Sequence, residues 1–323
     1  MEKREIGTSG IKVHPLAFGG NVFGWTIDEK KSFEILDAFV DAGLDLIDTA
    51  DVYSAWVPGN KGGESETIIG NWLKHSGKRD KVVIATKVGK PMGEGKKGLS
   101  KAYINKAVEA SLKRLQTDHI DLYQSHDDDQ ETPLLETMEA FTDLIKAGKV
   151  RTIGASNYSG PRFREALNVS AEHSLEAYQC LQPEYNLYMR EHYEKELEPI
   201  CREKQVGVIS YYSLASGFLT GKYRSERDLS QSARGQGVKK FIDPRGYKIL
   251  AALDKVSAAH DVSQAAVALA WIMVRPRITA PIASATKIEQ LADLIKAVDL
   301  KLAAEDIDEL NKASSYSHVA ITQ

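Results

Sequence analysis

Four side chains able to move a proton sit at the far ends of short apolar runs: Asp48 and Tyr53 in LIDTADVY, Lys87 in KVVIATKV and His126 in HIDLYQSH. In LIDTADVY the apolar Leu46 and Ile47 give way to Asp48, Thr49 and Asp51, and no helical pattern resumes until about Glu64. These residues therefore project from a strand end into a loop, where binding and catalytic groups collect on a rigid scaffold. A phenol with an ordinary pKa near ~10 carries its proton at neutral pH and can donate it. A neighbouring ammonium favours the phenolate left behind, and a carboxylate holds the ammonium in place. On this reading Tyr53 is a general acid, Lys87 modulates its pKa, Asp48 partners Lys87, and His126 orients a carbonyl oxygen. Those are the needs of carbonyl reduction by hydride transfer. Taken singly, each has a plainer explanation: a loop cap, a surface aromatic, a solvated amine, the cap of an acidic turn. Three neighbouring strands delivering ionisable groups to one rim favour the joint reading.

The elements that must position these groups alternate along the chain. After a small hairpin, REIG-TSG-IKVH, the expected strands are 15–20, 44–50, 81–88, 119–126, 150–157, 176–186, 206–213 and 278–285. Helical patterns fill the intervals at about 64–76, 101–115, 133–147, 160–168, 192–204 and 286–297, with two more between 243 and 274. In the first helix Phe33, Leu36 and Val40 fall on one face, and Gly43 stands where a C-terminal glycine belongs. Strands spaced by helices imply a parallel sheet. About eight such units without a linker predict one (β/α)₈ TIM barrel domain over 1–323, with chemistry at the strands' C-terminal ends. The first strand, PLAFGG, has no GxGxxG leading into a helix, which counts against an open dinucleotide-binding sheet. Residues 214–245, rich in Gly, Ser and charge, form the longest insertion, after the seventh strand.

Composition narrows the partner. With 42% hydrophobic and 27% charged residues and a net charge of −3, the chain lacks the basic excess of a nucleic-acid binder. Its two cysteines, Cys180 and Cys201, have no zinc spacing and fit reduced thiols in a cytoplasm. No run approaches a membrane span, so a cytoplasmic protein with a small-molecule substrate is expected. The run Asp127-Asp128-Asp129 lacks metal-binding spacing, and no metal is expected. Trp271, Met273 and Cys180 read as core.

The motifs DTADVY, ATKVG, DLYQSH, GKVRTIGASN, QPEYN, GVISYYSLASGFLTGKY and PIASATKIEQL carry a resemblance to the aldo-keto reductases along nearly the whole chain. The resemblance implies a tetrad of Asp48, Tyr53, Lys87 and His126, reduction of a carbonyl substrate, and NADP(H), with NAD(H) as the second candidate, bound without a Rossmann fingerprint. It places Ser156, Asn157 and Gln182 on the cofactor's carboxamide and Tyr211 against the nicotinamide. Leu214, Ser216, Gly217 and Lys222 match its pyrophosphate belt, and Ser284, Thr286 and Gln290 its adenosine-phosphate end, near a helix N-terminus that suits an anion.

Two departures stand out. Tyr211-Tyr212-Ser213-Leu214 replaces the frequent YSPL, removing a proline and adding an aromatic. Gln290 and Leu294 stand where relatives often carry an arginine and an asparagine, leaving Lys287, Arg224 or Arg227 to meet a 2′-phosphate. Family analogy puts the substrate among the loops, with Phe23, Trp25 and Trp56 as candidate walls suited to an apolar aldehyde. The same fold also serves as a channel accessory subunit, and Lys87 on a barrel could alternatively serve a Schiff-base lyase.

Overall fold

The computed structural model describes residues 2–232 and 235–316. Strand β1 (Arg4–Glu5) pairs antiparallel with β2 (Lys12–Val13) in the expected hairpin. Eight parallel strands then close a barrel in chain order: β3 (Ala17–Gly19), β4 (Leu46–Asp48), β5 (Val83–Val88), β6 (Ile120–Ser125), β7 (Val150–Ser156), β8 (Cys180–Gln182), β9 (Gly207–Ser210) and β10 (Ile278–Ala283), which returns to β3. The barrel expected from the alternation of elements is therefore the fold.

Around it lie α1 (Glu29–Asp41), α2 (Glu64–Ser76), α3 (Lys101–Leu115), α4 (Leu134–Lys146), α5 (Gly160–Glu172), α6 (Glu198–Glu203), α7 (Pro244–His260), α8 (Gln264–Met273), α9 (Ile288–Asp299) and α10 (Ala304–Ala313). None among the described residues is long and apolar enough to cross a membrane.

Period-two alternation sorts each strand's side chains. Ile47, Ile84, Tyr123, Ile153, Leu181 and Val208 point outward into the layer packed by the helices. Leu46, Ala85, Leu122, Cys180, Ile209 and Ala280 fill the interior and meet Ile6, Ile11 and Val13 of the hairpin. The hairpin closes the end where strands begin: Arg4 donates to the carbonyls of Met273 and Ile278, and Thr8 N–H to Gln179 Oε1. With that end plugged by apolar side chains, the strands' C-terminal ends form the open rim.

Several local expectations need correction. In α1 the buried face is Ser32, Ile35, Leu36 and Phe39, while Phe33 and Val40 are half-buried, because the helix lies about one residue rotated from the pattern first read. The run 176–186 contributes only Cys180–Gln182 to the sheet, since Pro183 follows and has no N–H for the ladder. Within 192–204 a wide turn at Tyr193–Leu197 precedes the short α6, where Pro199 fits the first turn. The chain adds a C-terminal helix, α10, that lies beyond the expected elements. The insertion 214–245 winds into short 3₁₀ segments at Ala215–Thr220, Glu226–Gln231 and Gly235–Phe241 before α7; its residues 233 and 234 lie outside the described residues.

Candidate active site

The alternation that fills the barrel also builds its rim. One step beyond the interior Leu46, Ala85, Leu122 and Cys180, on the same strands and the same face, stand Asp48, Lys87, Gln124 and Gln182. Gly154, level with them on β7, has no side chain because one would meet Cys180 O at 2.9 Å and Gln124 Cγ at 3.1 Å.

At the centre, the Lys87 ammonium is fully buried and uses all three of its N–H bonds. It donates to Asp48 Oδ2 at 2.7 Å, Thr49 O at 2.7 Å and Tyr53 Oη at 3.0 Å. Asp48 Oδ1 accepts from Gln182 Nε2 at 2.9 Å. Tyr53 donates to Asp48 Oδ2 only at 3.4 Å, so its proton is poorly held and can turn to another acceptor. The His126 ring stands 5.8 Å from that of Tyr53, with its Nδ1 buried and without a hydrogen bond among the described residues. The four residues that the sequence brought forward are thus brought together.

The electrostatics differ from expectation in one respect. Burial, reinforced by the Asp48 carboxylate, raises the Tyr53 pKa well above the usual phenol value, although Lys87 touches its oxygen. Burial lowers the Lys87 pKa against the opposing pull of Asp48. Burial, then the Lys87 charge, hold His126 well below the ordinary imidazole value. At rest the site is therefore a protonated phenol beside a neutral imidazole.

The loop carrying Tyr53 is pinned to β5 beyond the end of the sheet. Thr49 N–H donates to Ala85 O at 2.8 Å and Asp51 N–H to Lys87 O at 3.2 Å. Ser54 Oγ reaches Phe23 O at 2.7 Å. Behind the loop Glu66 is buried between Thr86 Oγ1 at 2.6 Å and Arg114 Nε at 2.7 Å. Asp51, also buried, has neither carboxyl oxygen hydrogen-bonded among the described residues, and burial, then Glu66, push its pKa well up.

The residues expected to meet a cofactor's carboxamide also converge. Ser156 Oγ donates to Gln182 O at 2.9 Å, Asn157 Nδ2 to His126 O at 2.8 Å, and Tyr211 Oη to Asn157 Oδ1 at 2.7 Å. Beyond Tyr211 the backbone turns left-handed at Tyr212, Ala215, Ser216 and Gly217. Gly217, at φ +96°, lies against Lys222, whose Cε and Nζ stand 3.4 and 3.5 Å from where a Cβ would be. Amide and hydroxyl partners at one end, and a tight turn with a lysine folded over it at the other, fit a dinucleotide.

The far end is more committed to the fold. Ser284 Oγ lies 2.7 Å from Gly19 O and 2.9 Å from Asn21 Oδ1. Gln290 Oε1 accepts from Thr286 N–H at 3.0 Å and from its hydroxyl at 3.1 Å, just before α9. Leu294 is core. Arg224 is taken by Asp254 in a two-pronged pair at 2.8 Å, which leaves Lys287, exposed and without an ion pair among the described residues, and Arg227.

Phe23 is fully buried and stacked on Phe18, not a pocket wall, whereas Trp25 is half-buried and Trp56 is exposed. The HDDD run is used by the fold: Asp128 pairs with Arg162 at 3.0 Å and Asp129 accepts from Leu99 N–H at 2.7 Å. Sequence reading missed Gln124, which the inward parity of β6 signals, and the Thr49 carbonyl, which no side-chain pattern reveals.

A profile described as the Aldo/keto reductase family matches residues 15–315. The chain is 36% identical to the uncharacterized oxidoreductase YrpG of Bacillus subtilis over 96% of its length and 95% of that protein's. It is 32% identical to a probable voltage-gated potassium channel subunit beta of Arabidopsis thaliana (93% and 92%) and 32% identical to a putative aryl-alcohol dehydrogenase of Schizosaccharomyces pombe (95% and 94%).

Proposed function

Because the chain belongs to the aldo/keto reductase family, we propose that it reduces aldehydes or ketones to alcohols with a nicotinamide cofactor, NADP(H) in preference to NAD(H). The single observation that carries this reading is the Lys87 ammonium spanning Asp48 and Tyr53, with the phenol's own proton weakly engaged.

When bound, the cofactor supplies the hydride. Ser156, Asn157 and Gln182 hold its carboxamide, Tyr211 packs against its ring, and Leu214, Ser216, Gly217 and Lys222 hold its pyrophosphate, with Ser284, Thr286 and Gln290 at the adenosine end. Tyr53 gives its proton to the carbonyl oxygen as charge develops there, a contribution of typically ~10²–10⁴ in rate. The phenolate that results lies 3.0 Å from the Lys87 ammonium, which stabilises it, and Asp48 keeps that ammonium in place. Neutral His126 donates a hydrogen bond to the same oxygen and orients it.

The test is oxidation of NADPH with a reactive aldehyde such as a nitrobenzaldehyde, followed by a panel of aldehydes, ketones and sugars with both cofactors. The relative named a potassium channel subunit motivates one other reading, a cofactor-binding regulatory subunit. Cofactor binding without turnover across the panel would select it. A Schiff-base lyase is disfavoured, because Lys87 is fully buried with every N–H engaged. Borohydride should trap no adduct there.

A further inference from the structure

Tyr212 adopts φ +50°, a left-handed conformation that bulky residues rarely adopt and that persists only where the surroundings impose it. The surroundings here are specific. Its carbonyl accepts from Ala215 N–H at 2.7 Å and from Nδ2 of the fully buried Asn186 at 3.0 Å. Asn186 in turn accepts the Tyr188 and Met189 N–H groups at 2.8 Å, so the loops after β8 and β9 are clamped together beneath the strained residue. The clamp holds out a ring that is 50% exposed, packed edge-on to Tyr211 at 5.2 Å, with no hydrogen bond to its hydroxyl among the described residues. Tyr211 donates to Asn157, whose amide reaches the His126 carbonyl, so the Tyr212 ring packs on a residue tied to the tetrad. A second exposed aromatic borders the tetrad's phenol: the Trp56 ring, 49% exposed, meets Tyr53 at 6.1 Å and Trp25 edge-on at 5.5 Å. Large exposed rings on separate loops, one of them held under backbone strain, have no role in the core; one packs against Tyr53 and the other against Tyr211, which is bonded to Asn157.

We propose that Tyr212 and Trp56 are specificity-determining walls of the substrate site, selecting planar aromatic carbonyl compounds over aliphatic ones. The proposal rests on the carbonyl-reductase reading for its substrate, and it adds the class of that substrate and the residues that choose it. Ring-to-ring contacts favour a flat substrate over an open-chain one of similar polarity.

Two readouts test it separately from catalysis. The first is the ratio of kcat/KM for 2-naphthaldehyde over butanal in the wild type, Tyr212→Gly, Tyr212→Phe and Trp56→Ala; glycine suits the φ at 212, and position 56 lies on a different loop. The second is calorimetric binding of the unreactive amides 2-naphthamide and butyramide, with and without NADP⁺. We expect the ratio to fall about tenfold in Tyr212→Gly and in Trp56→Ala and to be kept by Tyr212→Phe, with naphthamide affinity weakening in parallel. Absence of turnover with any carbonyl, alongside preferential naphthamide binding lost in both variants, would refute the reductase reading and leave this inference standing. Equal losses for aromatic and aliphatic ligands, or a wild type with no aromatic preference in either assay, would overturn it.

Discussion

The two halves of the candidate site are built from different kinds of backbone. Asp48, Lys87 and Gln182 lie on barrel strands, with Tyr53 on a loop whose hydrogen bonds extend the pairing of β4 with β5. Leu214, Ser216, Gly217 and Lys222 lie on an irregular segment where left-handed residues follow one another. A strand shared with two neighbours holds a side chain in a closed sheet, whereas a loop is held mainly by its own hydrogen bonds. The difference teaches a division of labour: Asp48, Lys87 and Tyr53 of the strand-borne half should govern chemistry, and the loop-borne half should supply the part of cofactor affinity that lies beyond the carboxamide.

The strongest way to break that division is Tyr53→Phe. It removes the donor from the strand-borne half and touches nothing in the loop. The expected outcome is a loss of ~10²–10⁴ in kcat, measured at saturating NADPH, with the cofactor Kd nearly unchanged. A parallel loss of cofactor affinity would show that the halves are coupled.

The converse experiment is Gly217→Ala. At φ +96° the added methyl group is strained by the backbone conformation itself, while its contact with the Lys222 side chain is an ordinary one. A penalty of about 1–2 kcal/mol for a left-handed residue corresponds to roughly a tenfold weaker cofactor Kd if the loop shifts to relieve it. Fluorescence titration with NADPH checks the affinity, and kcat at saturation should stay near the wild-type value.

A third experiment sharpens the account of the strand-borne half through pH. Tyr53 is raised above its ordinary value and so keeps its proton through the neutral and moderately alkaline range. Lys87 is lowered from its ordinary value, so on raising the pH it loses its proton before Tyr53 does. His126 is depressed well below its ordinary value and is already neutral near pH 6.5. The profile of kcat/KM for reduction should therefore show no step at the usual histidine pKa, and its alkaline fall should report Lys87. An alkaline limb unmoved in Lys87→Arg, which stays charged, would assign that fall to another group.

The same division explains what could be read from the sequence. Strands announce themselves by apolar runs, and alternation then fixes which side chains share a face, so the order of the barrel and the meeting of Asp48 with Lys87 were legible. Asn186 and Tyr212 were not legible as a pair, because an amide reaching another loop's carbonyl leaves no periodic trace. Phe23 misled for a related reason: an aromatic in a loop after a strand reads as a pocket wall, yet its ring stacks on Phe18 and closes the core. Gln290 was placed by resemblance alone, and its bonds to Thr286 show an amide serving the chain end that precedes α9.

The smallest expected effect concerns the choice of cofactor, where the loop-borne half ends. Arg224 is held by Asp254, and Gln290 carries no charge, so Lys287 is the cation nearest in sequence to the adenosine end with no ion pair among the described residues. It stands just before α9, where the helix N-terminus also favours an anion. Because the side chain is exposed, its contact with a 2′-phosphate is screened and is worth about 0.2–1 kcal/mol, less than a buried charge-assisted bond. Lys287→Ala should therefore lower the ratio of kcat/KM for NADPH over NADH by roughly fivefold or less, with the loss falling on NADPH. An unchanged ratio would move the role to Arg227, and a wild-type preference for NADH would defeat the assignment of NADP(H). Retention of kcat with both cofactors is what the division between strand and loop requires.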